Sequence, residues 1–96
     1  MYIKISEIKA LPNYSLHIKY NNGVEGDIDL SEQVGKGVFH KFEDINFFKK
    51  VWIGESGAPT WNDEIDIDPI NPYLLITGKT FEEFLSDEKK FQNASN

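Results

Sequence analysis

The clearest hydrophobic pattern in the chain is a strict alternation that runs through two neighbouring stretches, residues 14–20 and 24–30. Apolar residues or glycine occupy every second position of these stretches: Tyr14, Leu16, Ile18, Tyr20, Val24, Gly26, Ile28 and Leu30. A period of two is typical of strands that bury one face. The sequence Asn21-Asn22-Gly23 separates the stretches and suits a tight turn, so the pattern predicts an antiparallel hairpin.

The same pattern predicts the register of this hairpin, because directly opposed residues share a face of the sheet. A two-residue Asn22-Gly23 loop places Ile18 opposite Asp27 and mixes apolar with acidic side chains. A three-residue loop instead places Ile18 opposite Gly26. His17 then lies opposite Asp27, which predicts a surface histidine beside a carboxylate rather than a catalytic or metal-binding residue.

Shorter patterns on either side extend the sheet. Residues 2–10 alternate apolar and polar side chains before Pro12-Asn13, which predicts a strand, a turn and hence a three-stranded meander. Farther along, residues 51–53 and 58–61 flank a glycine-bounded turn and predict a second hairpin. Pro59 has no amide hydrogen to donate, so we expect its strand to lie at an edge or to be irregular.

The period changes after Ser31. Short helical turns are predicted around Phe39 and after Asp44, which suits a helix N-cap. Thr80 and Glu83 form a capping-box pattern ahead of apolar residues at helical spacing, which predicts a C-terminal helix. The sequence Gly78-Lys79-Thr80 ends like a phosphate-binding loop, but Tyr73 stands where that motif needs its first glycine, which argues against nucleotide binding at this position.

Together these elements predict an α+β fold: an antiparallel sheet of the N-terminal meander plus the second hairpin, with short helices on one face and a C-terminal helix. A chain of 96 residues fits one domain. We assign residues 1–79 to its main part and residues 80–96 to a C-terminal helix and polar tail of the same domain. Aromatic residues, 14% of the chain, supply much of the expected core.

Composition and charge narrow the expected partners. The chain has 16 acidic and 10 basic side chains and a net charge of −6. This net negative charge repels nucleic acid and anionic membranes. We therefore expect no direct nucleic-acid partner and no membrane partner. The absence of cysteine excludes thiolate metal sites and thiol nucleophiles. No secretion signal or stretch of transmembrane length is recognisable, and we expect a cytoplasmic protein.

The acidic segment, residues 62–68, is the best candidate for chemistry. Its carboxylates and amide are Asn62, Asp63, Glu64, Asp66 and Asp68, and the last three alternate with isoleucines. On an extended strand these three share one face, and their oxygens suit Ca²⁺ or Mg²⁺. The spacing does not fit an EF-hand loop, because Pro69 and Leu75 stand where a glycine and a bidentate acid are needed. We favour a strand edge that is protected from association by its charge.

The order of these motifs resembles a known family. The motifs follow one another as in the small bacterial proteins called domain of unknown function 2442. In chain order they are the strand Tyr-Ser-Leu-His-Ile-Lys-Tyr, the Asn-Asn-Gly turn, the strand Gly-Asp-Ile-Asp-Leu, residues 47–51 and 57–61, and Asp66-Ile67-Asp68-Pro69. The match depends on their order more than on any one residue. Residues 80–96 are an addition to the simplest members, and the family has no established catalytic residues.

The resemblance implies a partner-binding protein rather than an enzyme. Many members of the family are encoded next to another small family, domain of unknown function 4160, in an arrangement similar to toxin–antitoxin pairs. Some relatives carry a helix-turn-helix domain after this region, for which residues 80–96 are too short.

Two hypotheses follow for the function. The first is a protein-interaction module, the acidic member of a two-protein system, that presents a strand edge or aromatic surface to a small basic partner. Its expected contact residues are Trp61, Asp63, Glu64, Asp66 and Asp68, although Trp61 suits packing better than ligand stacking. The second is a divalent-metal-binding domain or metal-assisted enzyme that uses Glu64, Asp66, Asp68 and His40. We favour the first, with no catalytic residue and no cofactor, and a homodimer through the Pro59 edge stays open.

Overall fold

Three antiparallel strands form the main sheet, in the order β1 (Ile5–Leu11), β2 (Ser15–Tyr20) and β3 (Glu25–Asp29). The computed structural model describes residues 3–62 and 64–94, without the side chains of Val38 and residues 88–94. The predicted meander is present. Its first strand runs over Ile5–Leu11 rather than residues 2–10, and a bulge between Ile5 and Glu7 shifts its pairing with β2.

The hairpin of β2 and β3 has the predicted register. Ile18 pairs with Gly26 and His17 with Asp27, and across the three-residue loop the amide of Tyr20 donates to the carbonyl of Val24 at 2.8 Å. Gly23 has a φ of 92°, the left-handed conformation that this loop requires. The alternation in the sequence was therefore sufficient to predict which residues face each other.

The turn between β1 and β2 contains two consecutive left-handed residues. Asn13 has a φ of 63° and Tyr14 a φ of 59°, a conformation that asparagine tolerates and tyrosine rarely adopts. The ring of Tyr14 packs edge-on against Phe48, with centroids 5.2 Å apart, and its hydroxyl donates to the carbonyl of Glu43 at 3.3 Å. Packing by a distant segment therefore stabilises this turn.

The second hairpin consists of β4 (Trp52–Ile53) and β5 (Pro59–Thr60), and β4 lies alongside β1. On the other side of β5, Thr60 forms an isolated bridge with Asp66, and the amide of Ile67 donates to the carbonyl of Pro59 at 2.9 Å. β5 is only two residues long, as expected for a strand that proline interrupts.

Aromatic side chains dominate the core, as predicted. The segment after β3 contains 3-10 turns at Ser31–Gln33 and Gly37–Glu43, and then a short helix, α1 (Ile45–Phe48). Asp44 caps α1 by accepting the amide of Asn46 at 2.9 Å. Phe42 from this segment is fully buried and packs on Trp61, with ring centroids 4.6 Å apart, and on Phe48 at 5.1 Å.

The sequence patterns do not predict α2 (Ile70–Thr77), because Pro69 and Pro72 count against a helix. Both prolines lie before or within its first turn, where amide hydrogens have no acceptor inside the helix. Oδ1 of Asp68 accepts the amide of Ile70 at 2.9 Å and so provides an acceptor for an amide that has none inside the helix. α2 packs on β3 at Gly26, where a Cβ atom would lie 2.8 Å from the side chain of Ile76.

The predicted C-terminal helix, α3 (Phe81–Ala94), is confirmed, together with its capping box. The amide of Thr80 donates to Oε1 of Glu83 at 3.0 Å, and the amide of Glu83 donates to Oγ1 of Thr80 at 3.1 Å. Phe84 attaches α3 to α2 through an edge-on contact with Tyr73. No helix in the described part of the chain is long and apolar enough to cross a membrane. The α+β fold that the sequence predicted is confirmed, except that the second hairpin forms a small sheet of its own instead of extending the sheet of the meander.

Candidate functional site

The acidic segment is ordered by one polar side chain and one buried isoleucine. Oδ1 of Asn62 accepts the amides of Glu64 and Ile65, both at 2.8 Å, and so holds Glu64 and Ile65 close to Asn62. Ile65 is 2% exposed and belongs to the core. The described carboxylates of the segment are all exposed: Glu64, Asp66 and Asp68. Asp63, which we expected to contact a partner, lies outside the described residues.

Trp61 is a core residue and does not contribute to a contact surface. Its side chain is 5% exposed, and its Nε1 donates to the carbonyl of Phe48 at 2.8 Å. The expectation that Trp61 contacts a partner is therefore wrong. A buried indole contributes a large apolar area and satisfies its one donor, which explains why the polar neighbours of Trp61 in the sequence do not keep it at the surface.

The geometry gives no support to the metal-binding alternative. Within residues 3–62 and 64–94, no three histidine or acidic side chains come together in an arrangement that could hold a metal ion. Asp68 uses one carboxylate oxygen to cap Ile70. Nδ1 of His40 lies 3.2 Å from the carbonyl of Gly37, within a separate 3-10 turn. The expected set of Glu64, Asp66, Asp68 and His40 is therefore not assembled in this part of the chain.

His17 lies between two carboxylates on the polar face of the main sheet. Its Nδ1 is 2.6 Å from Oδ1 of Asp27, and its Nε2 is 3.1 Å from Oε2 of Glu25. The hydrogen bonds to Asp27 and then Glu25 raise the pKa of His17. Both bonds are made only when both ring nitrogens carry a proton. The surface histidine beside a carboxylate is confirmed, and its ring nitrogens are occupied.

Large apolar side chains are exposed on the two C-terminal helices, which contain none of the predicted site residues. Leu75 of α2 is 73% exposed, and Phe81 and Leu85 of α3 are 51% and 43% exposed. Residues four positions apart are neighbours on one face of a helix, so Phe81 and Leu85 form an apolar pair. The helical spacing of these residues was recognisable in the sequence, but spacing does not distinguish a face against the core from a face against a partner.

Acidic residues accompany this apolar pair. Glu82 and Glu83 lie in the first turn of α3 and are exposed. Glu83 is engaged in the capping box, whereas Glu82 lies about 100° around the helix from Phe81 and borders the pair. Asp87 forms an ion pair with Lys79. We refer to Phe81, Glu82 and Leu85 as the α3 face.

Comparison with solved structures identifies a neighbour with this fold. The chain is similar to a protein of Nitrosomonas europaea described as a "Putative DNA Binding Protein", with a TM-score of 0.72 and 21% sequence identity. The match covers 97% of this chain and 63% of the neighbour, so this chain spans less than two thirds of the neighbour's length. At this identity the likeness shows the fold alone. No family model matches the chain. A search of curated proteins also finds no match.

The neighbour corrects one expectation about partners. From the net charge we expected no direct nucleic-acid partner, and the description of a protein with the same fold as DNA-binding contradicts that expectation. The physical reason is that nucleic acid responds to the local arrangement of lysine and arginine side chains, which a net charge averages away. A net charge of −6 is therefore insufficient to exclude nucleic acid from the partners of this fold.

Proposed function

We propose that this protein is a small protein-interaction module that binds a small basic protein through the α3 face. The observation that carries the proposal is the exposed apolar pair of Phe81 and Leu85 on a helix whose first turn is acidic. The resemblance to domain of unknown function 2442 supports a two-protein system of the toxin–antitoxin kind, with this chain as its acidic member. The proposal includes the cytoplasmic location predicted from the sequence.

Apolar burial and charge favour a basic partner with an apolar contact surface. When a partner covers the half-exposed phenylalanine and leucine, their apolar surface is removed from water. This burial favours binding by about 25 cal/mol per Å² of apolar area. Glu82 and the net charge of −6 attract a basic protein and accelerate its encounter. Lysine and arginine on the partner also provide aliphatic stems that pack on apolar side chains.

The acidic segment is a second contact surface under the same proposal. Glu64, Asp66 and Asp68 are exposed, and of these Asp66 forms the isolated bridge with Thr60 of β5. Charged groups at the border of an interface mainly affect the rate of association and its salt dependence. We therefore expect these carboxylates to affect the encounter with the partner, and the α3 face to determine how long the complex lasts.

Co-purification with the product of the adjacent gene, followed by calorimetric titration, tests the proposal. We expect F81S/L85S to weaken binding by at least about thirtyfold, since truncation of anchor residues at an interface costs about 2 kcal/mol or more. The control is Leu75→Ser, which removes from α2 an apolar side chain that is more exposed than Phe81 or Leu85. Glu82→Lys should slow association, whereas Glu55→Lys, in the turn of the second hairpin, should not.

Two results would contradict the proposal. One is the absence of association at micromolar concentration when both proteins are expressed separately and are soluble. The other is an equal loss of affinity for F81S/L85S and Leu75→Ser, which would show that the effect is not specific to α3. Circular dichroism of each variant establishes that its fold is unchanged.

DNA binding is a second candidate function, favoured by the description of the structural neighbour. Its test is fluorescence anisotropy of labelled duplex DNA at low and high salt. A protein that neutralises phosphates binds more weakly as salt rises, with a linear dependence on the logarithm of the salt concentration. No anisotropy change at low salt would rule out this candidate.

A further inference from the structure

An open groove runs along β1, on the side where β4 lies. It consists of two adjoining cavities of about 640 and 620 Å³, which share Ile8, Lys9 and Val51. Volumes of this size are typical of sites for small ligands. The lining of the groove contains no residue of the α3 face or of the acidic segment. The groove is therefore separate from the α3 face and from the acidic segment.

Trp52 forms an aromatic wall of the larger cavity. Its side chain is 50% exposed, in contrast to the buried Trp61. An indole ring at the wall of a cavity offers a flat apolar face, and planar ring systems such as nucleobases stack on faces of this kind. The position of Trp52 therefore suits a ligand with a flat ring.

The groove carries positive charge in an otherwise acidic protein. Lys9 lines both cavities and Lys49 lines the smaller one, and neither has an ion-pair partner among the residues that the structure describes. Glu7 is the one acidic side chain in the lining. His17 also lines the larger cavity, but its ring is bound to Asp27 and Glu25. Lys9 and Lys49 are therefore the groups that an anionic ligand meets.

We propose that this groove binds a ligand that combines a flat ring with an anionic group, which is the chemistry of a nucleotide. The ring stacks on Trp52, and a phosphate interacts with the ammonium groups of Lys9 and Lys49. A free nucleotide and a single-stranded nucleic acid share this chemistry. An acidic peptide is a poorer fit, because its carboxylates pair with the lysines but leave the face of Trp52 uncovered.

Tryptophan fluorescence of the full chain tests this proposal, because the two tryptophans differ so strongly in exposure. We expect adenosine monophosphate and hexadeoxyadenylate to quench the wild-type protein, and Trp52→Phe to abolish the response, since Trp61 is buried. Lys9→Gln should weaken binding about tenfold, as expected for loss of a charge-assisted hydrogen bond. Lys36→Gln is the matched control, since Lys36 is exposed and lies outside the groove.

The proposal is overturned if neither ligand quenches the wild-type protein at millimolar concentration, or if Lys9→Gln binds as tightly as the wild type. Amide chemical shifts of Ser6 to Lys9 in the wild-type protein provide a second measurement that requires no variant. Perturbations at these residues, at Lys49 and at Trp52 support the site, and perturbations confined to residues outside the groove overturn it. Tighter binding of hexadeoxyadenylate identifies single-stranded nucleic acid as the ligand, and tighter binding of adenosine monophosphate identifies a free nucleotide.

Discussion

The β2–β3 hairpin and the acidic segment share an alternation of acidic and aliphatic residues but differ in structure. β3 contains Gly26-Asp27-Ile28-Asp29, and the acidic segment contains Glu64-Ile65-Asp66-Ile67-Asp68. β3 pairs with β2 along its whole length, whereas the acidic segment forms a single bridge, between Asp66 and Thr60. In both regions the isoleucines face inward and the carboxylates are exposed.

The difference arises from what each segment has for a neighbour. β2 offers β3 an unbroken strand and a glycine turn that fixes the register. The neighbour of the acidic segment is β5, which is two residues long and includes Pro59. An alternating pattern therefore determines which side chains are buried. Whether the backbone also forms a ladder depends on the partner strand.

The largest expected effect comes from the isoleucine that anchors each region. Ile65→Ala and Ile28→Ala each remove a buried side chain, and we expect each to lower the free energy of unfolding by about 2–5 kcal/mol in urea denaturation. Leu75→Ala is the control and should change stability by less than about 0.5 kcal/mol, because Leu75 is exposed. A cost for Ile65→Ala as small as that of the control would show that the core does not hold the acidic segment.

A smaller effect is expected from Asn62, which provides the hydrogen bonds that a partner strand provides for β3. Asn62→Ala removes the side-chain acceptor of the amides of Glu64 and Ile65, and the amide of Ile65 keeps only the backbone carbonyl of residue 62, at 3.4 Å. We expect the free energy of unfolding to fall by about 1 kcal/mol. Hydrogen exchange should accelerate at residues 64 and 65 and stay unchanged in β3. Asn46→Ala, at an exposed position in α1, is the control. Equal acceleration in β3 would contradict the distinction between the two regions.

The smallest expected effect is the pH dependence contributed by His17 to the hairpin. Its pKa is raised in the folded state, so the folded protein binds this proton more tightly than the unfolded chain does. The resulting stabilisation is fully present below the unfolded pKa, about 6.5, and is lost as the pH rises through the higher folded value. Asp27→Asn should lower the pKa of His17 measured by NMR. An unchanged pKa in this variant would refute the assignment of Asp27 as the main cause.

Local patterns were sufficient to predict the elements whose determinants are close together in sequence. The register of the hairpin follows from alternation and Gly23, and the start of α3 follows from Thr80 and Glu83. α2 was missed because two prolines oppose a helix in most positions but not in its first turn. The left-handed Tyr14 depends on Phe48, more than 30 residues away, which no local pattern contains.

The candidate site was less predictable than the fold. Polar neighbours in the sequence made Trp61 a candidate contact residue. In the structure its side chain is buried in the core, where its indole nitrogen donates to the carbonyl of Phe48. Phe81 and Leu85 carry the spacing of a buried helix face, and only the tertiary structure shows that they are exposed. Exposure depends on which elements pack together, and this information is distributed over the whole chain.

The strained turn before β2 has a consequence for the order of folding. A non-glycine residue in the left-handed region costs about 1–3 kcal/mol, and the contacts of Tyr14 with Phe48 and Glu43 offset this cost. We therefore expect the β2–β3 hairpin to form before the β1–β2 turn closes. The N-terminal strand would then join the sheet after α1 has docked, and a peptide that ends at residue 30 would lack the contact that holds this turn.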